Sequence, residues 1–341
     1  MILPRQQIVA LIDAGQIALG DSVAGASHAL PPTLQPASLD LRLGRKAYRM
    51  RASFLPGEGG TVADGLDALA LHEMDLGEDG AVLEVGGIYL IPLLERLDLP
   101  DDVSALANPK SSTGRLDVFA RLVGEGSARF DALPAGYSGP LWLEVAPRTF
   151  GVVARTGDRL SQMRFRRGAP KPLRTQTVSL DLSETREIVG YRARRHSALV
   201  DLRGVGEHAA LDYWEPVRLS QQGLILEPEE FYILASREAV EIPISEAAEM
   251  AAIDTAIGEF RAHYAGFFDP GFGTVEGGGV GSRAVLEVRG RDVPFLLRHG
   301  QPVAHLVFEA LSAVPDTVYG DNGSSYQRQG LRLGKHFATS D

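Results

Sequence analysis

The chain contains no cysteine. No disulfide can staple it, so nothing in its composition calls for an oxidising compartment. No thiolate is present to ligate a metal either. The eight histidines are scattered, and none falls in a His-Glu-x-x-His spacing, so that metal-hydrolase signature is missing too. No apolar run approaches the roughly 18 residues of a membrane helix. The N-terminal apolar stretch is broken by Gln6, Gln7 and Asp13, and neither a membrane span nor a secretory leader is expected. Positive charge is in deficit: 34 Lys+Arg face 44 Asp+Glu, for a net charge of −10. A nucleic-acid polymer, which needs a basic face, is therefore not an expected partner. Together these absences point to a cytoplasmic protein.

What is present is a globular composition. The 341 residues are 44% hydrophobic and 23% charged, and a chain of this length is expected to form two domains. Residues 4–14 predict a short helix: Pro4 suits its first turn, Ile8, Leu11 and Ile12 share a face, and Gly15 stops it. Beyond it the pattern is mainly β, with short runs such as Ile88-Tyr89-Leu90-Ile91 and Leu141-Trp142-Leu143 between Gly, Pro and Asp. Many short strands of this kind predict a sandwich or barrel. One helical insertion is expected near Ser245–Ala252, where Glu, Ala and Met cluster.

An internal repeat organises the chain. Tyr89, Pro100, Glu144, Gly157 and Phe165 each find a counterpart 143 residues later, in Tyr232, Pro243, Glu287, Gly300 and Phe308. The start of the second copy is looser, where Leu199-Val200-Asp201-Leu202-Arg203 echoes Leu39-Asp40-Leu41-Arg42 at a different offset. The boundary falls near residues 168–178, interrupted by Gly168, Pro170 and Pro172, giving domains of 1–170 and 171–341.

On this acidic background, Asn108-Pro109-Lys110-Ser111-Ser112-Thr113-Gly114-Arg115 concentrates two cations, two serines and a glycine. Hydroxyls and backbone N–H groups wrap phosphate oxygens, and Lys and Arg neutralise them; alone, the run also reads as a turn. Glu276-Gly277-Gly278-Gly279-Val280-Gly281 invites a phosphate reading as well, but it opens no helix and is read as a hairpin loop.

Three further segments accompany the Lys-Ser-Ser run: Met1-Ile2-Leu3-Pro4, Gln35-Pro36-Ala37-Ser38-Leu39-Asp40-Leu41-Arg42-Leu43-Gly44, and Gly136-Tyr137-Ser138-Gly139-Pro140-Leu141-Trp142-Leu143-Glu144-Val145. In this order they resemble the bacterial 2'-deoxycytidine 5'-triphosphate (dCTP) deaminases of the trimeric dUTPase-like superfamily. The resemblance covers most of residues 1–168, with an altered copy over most of the rest. It implies two tandem dUTPase-like β-sandwich or barrel domains of distorted jelly-roll form. It implies hydrolysis of dCTP to dUTP and ammonia, with Mg²⁺ carried on the triphosphate and a homotrimer with sites between subunits. Zinc-dependent base deaminases use Cys and His ligands, so deamination here would be metal-free at the reacting carbon.

The resemblance assigns the general base, then acid, to a strand glutamate, Glu144 or Glu287. It assigns phosphate contacts to Lys110, Ser111 and Ser112, and a partly catalytic role to Arg115. Relatives usually carry Arg where Lys110 stands, and lysine lacks the bidentate grip of arginine. Asp131 or Asp269, with Ala265, would fix the nucleoside. Gln162 would line the site, where the second copy has His305. Asp40 and Arg42 would organise the site or an interface, or form a structural ion pair. Tyr326, Gln329 and Lys335 would belong to a tail that closes over the triphosphate.

The copies have diverged in opposite directions. The first keeps the phosphate loop, whereas residues 251–256 of the second lack it. The second has the better nucleoside hairpin, Tyr264–Gly273, where the first carries two extra residues. A site between unlike halves would use Glu287, and one between like halves Glu144. Two other activities stay open: dUTP diphosphatase action, alone or coupled to deamination, and non-catalytic nucleotide sensing.

Overall fold

Pro4 caps the first helix, Arg5–Asp13, which buries Ile8 and Leu11 and ends before Gly15 at φ 73°. The structure, a computed structural model, describes residues 1–20, 33–219, 223–252, 260–263, 266–279, 281–321 and 326–338. Among the described residues, most of the regular structure after the helix is β, because Val-, Leu- and Ile-rich runs alternate with turn residues.

Two of the sheets in each half share the same internal order. In the first half, Ser138–Pro147 lies between Ile88–Asp98 and Val118–Gly124, and Val103–Pro109 lies between Ser161–Arg167 and Ala132–Leu133. In the second half, Arg283–Gly290 lies between Phe231–Ala239 and Phe260–His263, and Glu246–Ala252 lies between Pro302–Ala310 and Phe267–Phe268. The repeat extends to single hydrogen bonds. Glu84 N–H donates to the Tyr89 hydroxyl at 3.0 Å, and Glu227 N–H donates to the Tyr232 hydroxyl at 3.1 Å.

Two expectations need correction, and one element is new. Glu246–Ala252 is a strand, not a helix. Its Ala, Glu and Met residues favour helix, but pairing on both sides buries Ala247, Ala248 and Met250, and tertiary context overrides propensity. The echo of residues 39–42 at 199–203 is not a topological one. Val200–Asp201 pairs in parallel with Val152–Ala154 of the first half, whereas the strand that flanks Pro302–Ala310 as Leu39–Leu41 flanks Ser161–Arg167 is Pro172–Ser179. Finally, the helix Val62–Leu69 was not anticipated. Thr61 and Asp64 form a capping box at its start, and Val62, Leu66 and Leu69 pack with Met50, Leu90, Phe130 and Trp142. Gly65 is required within it, since a Cβ there would lie 2.0 Å from the Phe54 ring.

One apolar core fills the first half and reaches Trp214, Phe231, Ile233 and Val285 of the second, and another fills the second half. The halves are therefore packed against each other rather than strung on a linker.

Candidate active site

Strand Val103–Pro109 ends at the Lys-Ser-Ser run, which folds into a single helical turn, Ser111–Gly114. The turn is held from below: Lys110 N–H and the Thr113 hydroxyl both donate to the Leu160 carbonyl, at 3.0 and 2.8 Å. Arg115 follows as its C-cap and points into the protein, 2% exposed. Its guanidinium donates to the Arg332 carbonyl at 3.1 Å and to Gln329 Oε1 at 2.9 Å, and lies 4.0 Å over the Tyr326 ring. Its Nε is 3.9 Å from Glu287 Oε1.

Glu287 sits mid-strand in Arg283–Gly290, opposite Ile233 and His263. Burial pushes its carboxyl up to about 8 despite the opposing pull of Arg115. Asp269, directly after Phe267–Phe268, is also buried, and desolvation raises it against the pull of Arg164. Lys110, Ser111, Ser112, Arg115 and Gln162 of the first half thus share one cavity with Phe268, Asp269, Tyr326 and Gln329 of the second.

A second cavity, of about 380 Å³, opens on the other side of Lys110 and Ser112. Arg159, Arg203, Lys335 and His336 line it. Lys335 is pushed below the usual lysine range by burial and then by Lys110 and Arg159. His336 falls to about 3, chiefly by burial and then by Lys335, and stays neutral. Asp40 balances part of this charge through ion pairs to Lys110 and, at 3.4 Å, to Arg159. Two adjoining chambers result: one lined by the buried Asp269 and Arg115, the other cationic.

The remaining sequence candidates lie elsewhere. Glu144 takes the register slot that Glu287 takes in the other half, but the residue opposite is Arg121, which pairs with its carboxylate from Nε at 3.1 Å and also from Nη2. Asp131 accepts from Leu122 N–H at 2.7 Å and is pushed up to about 7 by burial. Neither lines the two cavities. Arg42 is tied to Glu95 at 2.7 Å, a structural pair. Ala265 lies outside the described residues. The sequence alone did not single out Arg159, Arg164, Tyr319 or His336.

Among the described residues no group of three His, Cys, Asp or Glu side chains could hold a metal. Among them also, no helix is long and apolar enough to cross a membrane.

Comparison with known proteins bears on this arrangement. Residues 1–169 match the family described as "2'-deoxycytidine 5'-triphosphate deaminase (DCD) N-terminal domain", and residues 169–337 match the C-terminal domain of the same name. A protein named "dCTP deaminase" from Halorubrum lacusprofundi is 31% identical over 44% of this chain and 71% of its own. One named "dCTP deaminase, dUMP-forming" from Nocardioides sp. is 32% identical over 48% of this chain and 79% of its own. The crystal structure of 2'-deoxycytidine 5'-triphosphate deaminase from Agrobacterium tumefaciens superposes with a TM-score of 0.83 at 50% identity, covering 91% of this chain and 98% of that one. With its two halves matched end to end and its architecture shared, the chain belongs to the dCTP deaminase family.

Proposed function

We propose that this protein hydrolyses dCTP to dUTP and ammonia at one site per chain, built between its unlike halves. The observation that carries the reading is the approach of buried Glu287 to within 3.9 Å of Arg115, which itself lines a cavity shared with the Lys-Ser-Ser turn. The cationic chamber receives the triphosphate, whose charge Lys110, Arg159 and Lys335 offset. Mg²⁺ carried on the triphosphate would offset part of the remaining phosphate charge, with no protein carboxylate cluster needed to hold it. Asp269 holds the sugar and Glu287 faces the base.

In the reaction, Glu287 takes a proton as water adds to C4. It then returns that proton to the exocyclic amine, the C4–N bond breaks, and ammonia leaves. A carboxyl held near 8 is available in both protonation states around neutral pH. Arg115 steadies the carboxylate and the charge that develops beside it. The tail from Tyr326 to Phe337 supplies the acceptors that aim Arg115 and closes the site from water.

The fold of each half is proposed to be a dUTPase-like jelly roll, with domains of 1–170 and 171–341. The meeting of the two family matches at residue 169 supports this division. A homotrimer in the cytoplasm is the proposed state, although one chain already supplies both parts of the site. A second reading, deamination coupled to pyrophosphate release, is favoured by the relative named dUMP-forming.

The experiment is ammonia release from dCTP with Mg²⁺, with the nucleotides resolved by chromatography. Ammonia with dUTP supports the first reading, and ammonia with dUMP and pyrophosphate the second. Tight dCTP binding without ammonia would replace both with nucleotide sensing.

A further inference from the structure

We propose that Arg164, contributed by the first half, is the positioning residue that orients Asp269 and the whole nucleoside hairpin of the second half. The proposal rests on the reading of the site given above and adds a residue to it. Arg164 lies on strand Ser161–Arg167, two residues beyond Gln162, and is 3% exposed. Its guanidinium donates to Asp269 Oδ1 at 3.0 Å, to the Phe268 carbonyl at 3.2 Å and to the Ala248 carbonyl at 3.1 Å. It also lies 4.1 Å over the Phe267 ring. One planar group thus grips the hairpin at three consecutive residues and ties it to the neighbouring strand Glu246–Ala252.

Among the described residues, the grip leaves the other carboxylate oxygen of Asp269 with a long contact, 3.4 Å from the Ser38 hydroxyl. Asp269 lines the cavity while Arg164 does not. Arg164 therefore acts on the nucleotide through Asp269 and not by touching it. A lysine would supply charge from one point and could not reach all three acceptors.

Charge gives the role a signature. Asp269 is desolvated, and the groups facing it are Arg164, Lys110, Asp40 and Ser38; Glu249 faces Arg164 from strand Glu246–Ala252. Arg164 is the largest influence favouring the ionised carboxylate, and Asp40 opposes it. Without the guanidinium, burial keeps Asp269 protonated to higher pH. Nucleotide affinity should then improve as pH rises and Asp269 ionises, a dependence that lies at lower pH in the unaltered protein.

The test reads dCTP affinity by calorimetry with Mg²⁺, from about pH 6.5 to 9, in a Glu287→Gln background that removes the titration of Glu287. Arg164→Met should weaken binding about tenfold to a hundredfold at pH 7, with the loss shrinking as pH rises. Asp269→Asn should bind weakly at every pH, and adding Arg164→Met to it should cost little more. Arg164→Lys should be intermediate. A loss in Arg164→Met that is the same at every pH, or that adds in full to Asp269→Asn, overturns the proposal. Unchanged affinity in Arg164→Lys does so too, and keeps the test decisive if the Met variant does not fold. Because only binding is read, a protein that binds dCTP without releasing ammonia would overturn the deaminase reading and leave this one standing.

Discussion

Arg166 and Glu309 stand at the same position of the two repeats, 143 residues apart, and form a two-point ion pair across the contact between the halves. Their side chains are 8% and 12% exposed. A repeat in which both copies kept the same residue would set Arg against Arg or Glu against Glu there. The pair is satisfied only when a first half meets a second half. Removing one partner of a buried pair leaves an uncompensated charge, which costs about 3–5 kcal/mol. Arg166→Glu and Glu309→Arg should each destabilise the protein by about this amount, and the double exchange should recover most of it. Thermal unfolding of the four proteins at one concentration checks this. Two single variants as stable as the starting protein would show that the pair does not govern how the halves meet.

The same asymmetry separates the two glutamates. Glu287 lies beside Arg115, which lines the cavity, whereas Glu144 is paired with Arg121, which does not. Glu287→Gln should lower kcat for dCTP by about a hundredfold to ten-thousandfold, the usual reach of a lost general acid–base. Glu144→Gln should stay within a few-fold, since Arg121, at 37% exposure, can turn to solvent. Equal losses in both variants, read as ammonia release, would contradict a single mixed site.

Glu287 also makes stability depend on pH in an uncommon direction. Its folded value, about 8, lies above the ordinary carboxyl value of 4.5. Between these limits the folded protein holds a proton that the unfolded chain releases, so its contribution is fully present below the lower limit and is lost as pH rises through the upper. Each unit within that window costs about 1.4 kcal/mol if this group alone titrates. Glu287→Gln cannot ionise, and its melting temperature should gain on the unaltered protein as pH rises from 5 to 8, then run parallel. A difference independent of pH would mean that the carboxyl titrates near its ordinary value.

These relationships were unevenly legible in the sequence. The 143-residue offset already marked Glu144 and Glu287 as counterparts, and the Lys-Ser-Ser run and the tail were visible as local clusters. The alternation of short apolar runs sufficed for the mainly β architecture. What stayed hidden was decided between distant segments. Nothing in Glu246–Ala252 announces a strand until Pro302–Ala310 pairs with it. Arg121 reads as an ordinary strand cation until register sets it opposite Glu144. Arg164 and Arg166 share a face of one strand, yet their acceptors lie 105 and 143 residues away. Helix Val62–Leu69 could have been found locally, from the Thr61-x-x-Asp64 capping signal.

The tail is fastened at its far end by Phe337. Its ring lies 5.2 Å from Tyr213, 5.7 Å from Trp214 and 6.1 Å from Phe150, in edge or tilted geometry. Between this anchor and Tyr326 run the Arg332 carbonyl that accepts from Arg115 and the Lys335 side chain that lines the cationic cavity. Truncating a buried Phe costs about 3–5 kcal/mol where the loss falls on the global fold. Here it falls on a segment that belongs to none of the sheets, so much of it should appear as weaker closure. Phe337→Ala should therefore raise the KM for dCTP about tenfold or more, with a smaller fall in kcat once substrate draws the tail back over its phosphates. Steady-state kinetics together with limited proteolysis near Arg332 would check this: faster cleavage that dCTP suppresses is the expected result. A variant with unchanged KM and unchanged cleavage would show that Tyr326 and Gln329 hold the tail without the aromatic anchor.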